Sequence, residues 1–260
     1  MYRFQLISDI HLEFGACKAI KKMANYLILA GDIGYPDQAL FKNFLVETSK
    51  LYEKVFYVSG NHEYYQNWKN GKNIKIDTIA ETNDKIKNIV KESGENIYFL
   101  NNEYYDIDDK LRIVGSTLWT NIHPKSSSIN DSYQIYSDEN VLITDDYLRK
   151  THIENVKFIK NQISDANEKN KKIVVVTHHL PSYQLVLDKY KTGMYASYNS
   201  HFASDLDYLM AEPIKVWCAG HSHGFNQKNI NGVDCFVNAY GYPKEERNGA
   251  NLDFTFEIDI

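Results

Sequence analysis

Apolar and polar positions fall in blocks along this chain, and five of the apolar blocks end in the same way. Tyr2-Arg3-Phe4-Gln5-Leu6-Ile7 runs into Ser8-Asp9-Ile10-His11, Tyr26-Leu27-Ile28-Leu29-Ala30 into Gly31-Asp32, and Val55-Phe56-Tyr57-Val58 reaches Gly60-Asn61-His62-Glu63. Ile173-Val174-Val175-Val176 leads to Thr177-His178-His179, and Val216-Trp217-Cys218-Ala219 to Gly220-His221-Ser222-His223. Short, partly β-branched runs of this kind predict strands covered on both faces. In open α/β sheets ligands gather beyond the carboxyl ends of such strands, so five ends carrying Asp, Asn or His predict one shared site.

Helical spacing fills the gaps between these runs. Pro36 to Tyr52 opens with a first-turn proline and spaces Leu40, Phe41, Phe44, Leu45 and Leu51 along one side. Ile74 to Ser93, stopped by Gly94, and Thr144 to Asn170, capped by Thr144 or Asp145, carry similar stripes. Ser204 to Glu212, ending before Pro213, predicts a shorter helix. Tyr104 to Val114 and Ile230 to Val237 read instead as hairpins, turning at Asp108-Asp109-Lys110 and at Asn231-Gly232. Phe254 to Ile258 alternates as a final edge strand. The expected fold class is therefore α/β, with hairpins appended to βαβ units implying a mixed sheet, or two sheets packed face to face.

Composition narrows the reading without redirecting it. A chain of 260 residues, 43% hydrophobic and without repeats or low-complexity tracts, is expected to form one domain over residues 1–260. A formal net charge of −5 supplies no basic stripe, which argues against duplex nucleic acid as the main partner. Cys17, Cys218 and Cys235 lack zinc-type pairing and look like reduced core residues. No apolar run approaches a membrane span and no leader is visible, so a cytoplasmic location without a membrane partner is expected.

The strand ends hold the chemistry. Asp9 and His11 stand two apart, as do His221 and His223, so persisting strand geometry would aim each pair from one face at one ion. Asp9, His11, Asp32, Asn61, His178, His221 and His223 are more ligands than one tetrahedral ion needs. Imidazoles, carboxylates and one amide suit borderline divalent ions: manganese first, with iron, zinc or nickel as alternatives. Two such ions, about 3.5–4 Å apart, can bind both the attacking and the leaving oxygens of a displacement at phosphorus. Any one of these histidines taken alone would read as an interior residue; the ordered recurrence makes the set a metal site.

The series Asp9-x-His11, Gly31-Asp32, Gly60-Asn61-His62-Glu63, His178 and Gly220-His221-x-His223 resembles the five-part signature of the calcineurin-like metallophosphoesterases. The resemblance implies a four-layer α-β-β-α sandwich with two mixed β-sheets and a binuclear centre. Carried over, Asp9, His11, Asp32 and His223 would hold one ion, Asp32, Asn61, His178 and His221 the other, and Asp32 would bridge. It also implies hydrolysis by a hydroxide held between the ions, with His62 as a catalytic proton donor rather than a ligand.

Other residues are placed around this set. Glu63 is expected to be structural, or to orient a ligand histidine. His179 should pack behind the ligands, His152 and His201 should be ordinary helix or loop residues, and His123 before Pro124 is a minor substrate candidate. Residues 119–143 lack a sustained period, hold His123, Asn130, Asp131, Tyr133 and Tyr136, and form the lid candidate. Residues 181–200 bring Tyr183, Tyr190, Tyr195 and Tyr198, which either stack on a base or sugar or merely cover a sheet edge. Tyr64 and Tyr65 are expected to flank the pocket.

Protein phosphatases of the resembled superfamily follow Gly-Asp with Asp-Arg-Gly, whereas Asp32 here precedes Ile33-Gly34-Tyr35-Pro36. Without that arginine a phosphodiester, which carries less charge than a monoester, fits better. The expected function is a metal-dependent phosphodiesterase for a nucleotide-like or other small phosphodiester. A phosphomonoesterase on the same site and a non-catalytic scaffold are the alternatives.

Overall fold

The computed structural model describes residues 1–66, 75–123 and 128–260. In chain order, its first half contains β1 (Tyr2–Ile7), β2 (Tyr26–Ala30), α1 (Ala39–Leu51), β3 (Lys54–Val58), α2 (Ile79–Ser93), β4 (Ile97–Phe99), β5 (Glu103–Asp106) and β6 (Leu111–Ser116). Then follow α3 (Asp131–Gln134), β7 (Tyr136–Asp138), β8 (Val141–Leu142), α4 (Asp145–Glu168), β9 (Lys172–Thr177), β10 (Ile214–Ala219), β11 (Gly224–Ile230), β12 (Val233–Ala239) and β13 (Thr255–Ile258).

Two sheets carry the architecture. The first has the order β13-β1-β2-β3-β4 and the second β11-β12-β10-β9-β6-β5. Central strands are parallel, while β13, β11 and β5 add antiparallel edges. Period-2 alternation assigns each apolar side chain to a layer. Phe4, Leu6, Ile28, Phe56 and Val58 face Ile113, Val174, Val176, Val216 and Cys218 in the core between the sheets. Their neighbours Ile7, Leu27, Leu29, Val55 and Tyr57 point outward, onto Phe41 and Leu45 of α1 and Ile86 and Val90 of α2. Val175 and Trp217 likewise face Val156 and Ile159 of α4. Helix, sheet, sheet and helix are thus four layers, the α/β sandwich with two mixed sheets that the signature implies.

Local chemistry corrects several expected boundaries. The first helix begins at Ala39, because Pro36 lies in the turn before it. In α2, Thr78 accepts from Glu81 N while Glu81 accepts from Thr78 N, a capping box that starts the helix at Ile79; Ile74, its expected start, lies outside the described residues. No α-helix forms over Ser204–Glu212: Ser204 N and Leu206 N donate to Leu180 and Pro181 carbonyls, leaving one 3₁₀ turn at Asp207–Leu209. Both hairpins form as expected, with Asp108 Oδ1 accepting from Lys110 N and Leu111 N in one turn, and Asn231 and Gly232 both left-handed in the other. Residues 128–143 are more regular than their sequence suggests, holding α3 and the small β7-β8 ladder. No helix among the described residues is long and apolar enough to cross a membrane.

Candidate metal centre

Adjacent parallel strands β1, β2 and β3 bring Asp9, His11, Asp32, Asn61 and His62 to one end of the first sheet. Adjacent β9 and β10 bring His178, His221 and His223 to the same end of the second. Strand alternation is not what aims the paired ligands, contrary to the sequence expectation. Both sheets stop short, at Ile7 and Ala219, and Asp9, His11, Asp32 and His221 adopt left-handed backbone with φ of 56°, 48°, 52° and 66°. Non-glycine residues rarely take this conformation, and it persists where surrounding bonds over-determine it. Those bonds are present: Asp9 N donates to Gly31 O, His11 N to Asp32 O, His62 N to Asp32 Oδ1 (2.8 Å) and His221 N to Asp9 Oδ2 (2.9 Å). A Cβ at Gly60 would strike Asp32 Oδ1, and one at Gly220 would strike Ser8 Oγ, so both turns require glycine.

The turns bring the side chains into three overlapping groups, one of which, His11, Asp32 and His62, links the other two. Asp9, His11 and His223 form one, with His223 Nε2 3.1 Å from His11 Nε2 and 3.4 Å from Asp9 Oδ1. Asp32, His178 and His221 form the other, with His178 Nε2 3.0 Å from His221 Nδ1 and 3.1 Å from Asn61 Oδ1. His221 and His223, expected to grip one ion together, therefore part company. Asp32 faces both groups, Oδ2 lying 3.8 Å from His11 Nε2 and Oδ1 3.5 Å from His178 Nε2.

The ring tautomers say what such clusters can hold. His11 donates Nδ1–H to Glu13 Oε1 (2.8 Å), His178 donates Nδ1–H to the Ala30 carbonyl (2.8 Å), and His223 donates Nδ1–H to Glu245 Oε2 (2.5 Å). In the neutral rings each Nε2 is then a lone pair turned inward. Asn61 donates its amide to Asp131 Oδ1 (2.9 Å) and Tyr65 Oη (3.1 Å), which leaves its carbonyl oxygen inward as well. Asp9 Oδ1 is buried and makes only a long contact with His223 Nε2, at 3.4 Å, in place of a well-formed hydrogen bond among the described residues. Ring nitrogens and oxygens converging at 3.0–3.5 Å are a donor set suited to a divalent cation.

Electrostatics agree. Burial holds the His11 and His178 rings down to about 4, and burial followed by the neighbouring His179 and His178 keeps His221 well below its ordinary value. Burial, then the Asp9 and Glu63 carboxylates, raises Asp32 well above the usual carboxylate range. At Asp9 burial acts in the same direction, but the His223 hydrogen bond and the charges of His178, His223 and His11 outweigh it and hold the group low. At His223 burial is outweighed by hydrogen bonds to Asp9 and Glu245, which push the ring up to about 9. A metal ion bound there would displace that proton.

Further residues complete the site. His62 lies beside the ligands, its Nδ1 2.8 Å from Glu13 Oε1 and its Nε2 3.2 Å from Tyr242 Oη. Glu63 orients no histidine: it accepts from Asp32 N, Ile33 N, Gly60 N and Tyr57 Oη, tying two motif turns together. His179 packs behind the ligands as expected, its ring 4.4 Å from His221 and its Nδ1 donating to Thr117 O. His152 does more than fill a helix, since its Nδ1 donates to Trp119 O at 2.7 Å. The sequence reading missed Glu13, Tyr242 and Glu245. Glu13 had a signal, the next alternate position after Asp9-x-His11, whereas Tyr242 and Glu245 reach the site only through tertiary folding.

A cavity of about 530 Å³ opens above these residues. From the lid candidate, Asn130 and Asp131 line it; Tyr133, Tyr136 and the exposed His123 do not, and Pro124 lies outside the described residues. From the second segment, Tyr190, Tyr195 and Tyr198 line it and Tyr183 does not. Tyr65 is in the wall, while Tyr64 is buried behind it against Ser59 and Asn83.

Comparison with known proteins gives a consistent result. Residues 2–225 match the family model of the calcineurin-like phosphoesterases. An uncharacterized protein of Acanthamoeba polyphaga mimivirus is 34% identical over 278 aligned positions, covering 97% of this chain and 95% of the viral one. Among solved structures, phosphopantetheinyl hydrolase from Mycobacterium tuberculosis shares the fold, with a TM-score of 0.66 at 18% identity over 93% of this chain and 90% of the other.

Proposed function

Because the chain belongs to the calcineurin-like phosphoesterase family, we propose that it is a binuclear metal-dependent phosphodiesterase acting on a small, nucleotide-like phosphodiester. The observation that supports the diester is the cavity itself: above two clusters of convergent acceptors, no lysine or arginine lines it among the described residues. A phosphodiester carries one negative charge and a monoester close to two, so a site without side-chain cations favours the diester.

Asp9, His11, Asp32 and His223 would hold one ion, and Asp32, Asn61, His178 and His221 the second. Divalent ions, manganese first, supply Lewis acidity toward the phosphoryl oxygens and lower the pKa of a water. Glu13 takes His62 Nδ1 as the donor to its carboxylate and so orients the ring, with Nε2 as the atom that would deliver a proton to the departing oxygen. Tyr242 Oη, next to Nε2, marks where that oxygen arrives. Water adds its oxygen to phosphorus, the phosphorus–oxygen bond to the leaving group breaks, and the His62 proton ends on the alcohol released. Asn130 and Asp131 belong to a lid over this cavity. Three free cysteines, two of them buried, support a reducing, cytoplasmic setting.

The test is hydrolysis of bis(4-nitrophenyl) phosphate and 4-nitrophenyl phosphate in parallel, on protein stripped of metal and reloaded with manganese. Faster cleavage of the diester, lost in Asp32→Asn, is the expected result. Preference for the monoester would overturn the diester assignment. Two ions bound per chain with neither ester cleaved would return the scaffold reading.

A further inference from the structure

The metal clusters occupy only the floor of the cavity, and its walls differ in kind. One end abuts His62, flanked by Tyr65 stacked on the imidazole at 4.2 Å and by Tyr242. The other begins at Phe202, whose ring lies 4.6 Å from that of His221, and continues through Tyr190, Tyr195 and Tyr198. Tyr190 and Tyr195 meet edge to face at 5.5 Å and 78°, so their ring planes stand nearly perpendicular. Tyr195 is 52% exposed and Met194 76% exposed, although both line a concave surface. Apolar area left open inside a concavity marks a ligand surface more often than a packing one.

We infer that the wall formed by Tyr190, Tyr195, Tyr198 and Phe202 is a stacking subsite for a planar heteroaromatic group, of nucleobase type, carried on the part of the diester that is retained after cleavage. This rests on the phosphodiesterase reading. Three arguments select the ligand. Aromatic faces with hydroxyl edges suit a flat polar ring better than a flexible alkyl chain, because stacking tolerates any base and costs little side-chain entropy. The described lining holds no lysine or arginine, which favours a neutral group beyond the phosphate. A volume of about 530 Å³ exceeds what the phosphate alone would fill and lies in the range of small-molecule sites, about 300–1,000 Å³. The side assignment follows from His62: the departing oxygen must lie at its end, which leaves the His221 and Phe202 end for the retained ester.

Two diesters with the same leaving group isolate this surface. Thymidine 5′-(4-nitrophenyl phosphate) and methyl 4-nitrophenyl phosphate both release 4-nitrophenolate and differ only in the retained group. On the manganese-loaded full chain, kcat/KM for the thymidyl ester should exceed that for the methyl ester by tenfold or more, chiefly through KM. In Tyr195→Ala and in Tyr198→Ala that ratio should fall by about tenfold, the order that one lost base stack costs. Tyr208→Ala, at an exposed tyrosine outside the cavity, should leave the ratio unchanged. A wild-type ratio near one while the methyl ester turns over would overturn the stacking subsite and leave the diesterase reading intact. Faster cleavage of octyl 4-nitrophenyl phosphate than of the thymidyl ester would make the wall an alkyl groove, which also overturns it. Saturation-transfer NMR with thymidine 5′-monophosphate reads the same surface without turnover. Saturation of the thymine H6, lost in Tyr195→Ala, supports the subsite even if no ester is cleaved, and that outcome would sink the diesterase reading alone. An unsaturated base, or saturation indifferent to both wall substitutions, overturns the subsite.

Discussion

Glu13 is held between two imidazoles, that of the proposed ligand His11 and that of the proposed proton donor His62. Its carboxyl is drawn down to about 2: burial would raise it, and the hydrogen bonds and charges of the two histidines outweigh burial. A single carboxylate thereby fixes the tautomer of a ligand and of a proton donor together. Removing the donor should expose its role through the leaving group. His62→Ala should slow a diester with an alkyl leaving group by about 10²–10⁴-fold, the usual worth of general acid catalysis, and one losing 4-nitrophenolate far less. Comparing kcat for the two esters in the variant checks this, and equal losses would remove His62 from proton transfer. At this scale the inward-facing donors were legible because each sits within four positions of an apolar run. Tyr242 and Glu245 were not, since the contacts that make them relevant span 180 and 22 residues.

At the scale of elements, the site depends on turns that no periodicity announces. The hairpin tips, the Gly94 stop and the Thr144 cap follow local rules and were readable, the Thr78 capping box was overlooked, and the left-handed backbone at Asp9, His11, Asp32 and His221 is imposed by hydrogen bonds between motifs. Glu63 holds the Asp32 turn, a carboxylate 1% exposed accepting three backbone N–H groups from two turns. Glu63→Gln places an amide N–H₂ against those donors and should cost about 3 kcal/mol, the order of losing charge-assisted bonds in a buried site. Chemical denaturation of the metal-free protein reads it. A second junction anchors the start of the lid candidate to α4, where His152 donates to Trp119 O and Asn155 accepts from Trp119 N. Burial lowers the His152 ring below its ordinary 6.5. The folded state therefore binds the proton less readily than the unfolded one, so this contribution is complete above about pH 6.5 and is lost as pH falls below it. His152→Gln should flatten the fall in stability between about pH 7 and 5 relative to the parent chain, measured by denaturation midpoints at each pH. An unchanged slope would contradict it.

For the molecule as a whole, five strand ends on a common site were legible from the apolar runs, while the hairpins left one mixed sheet or two packed sheets open and only the family resemblance implied two mixed sheets. Which strands lie side by side was not legible, because strand order is decided by packing between residues far apart in sequence; β6, for example, inserts between β5 and β9. The consequence for stability is linkage. Asp9 and Asp32 are buried and the Glu13 side chain beside them is 1% exposed, so ions bound to the folded state alone should stabilise it by about 2.7 kcal/mol at a hundredfold excess over Kd. Chelation should then lower Tm by about 5–10 °C, read by thermal denaturation with and without manganese. No shift on chelation would count against metal binding at this site.

The order of the clusters along the chain has a consequence for how the protein is made. One cluster joins residues 9, 11 and 223, and the other joins residues 32, 178 and 221. A nascent polypeptide leaving the ribosome therefore carries Asp9, His11 and Asp32 early, but cannot complete either of these two groups until the segment around His221 and His223 has emerged. A product truncated or cleaved ahead of that segment would keep Asp9, His11, Asp32, Asn61 and His178 and lack one imidazole from each group, so both are finished only when almost the whole sequence has been synthesised, although His11, Asp32 and His62 can meet within the first 62 residues.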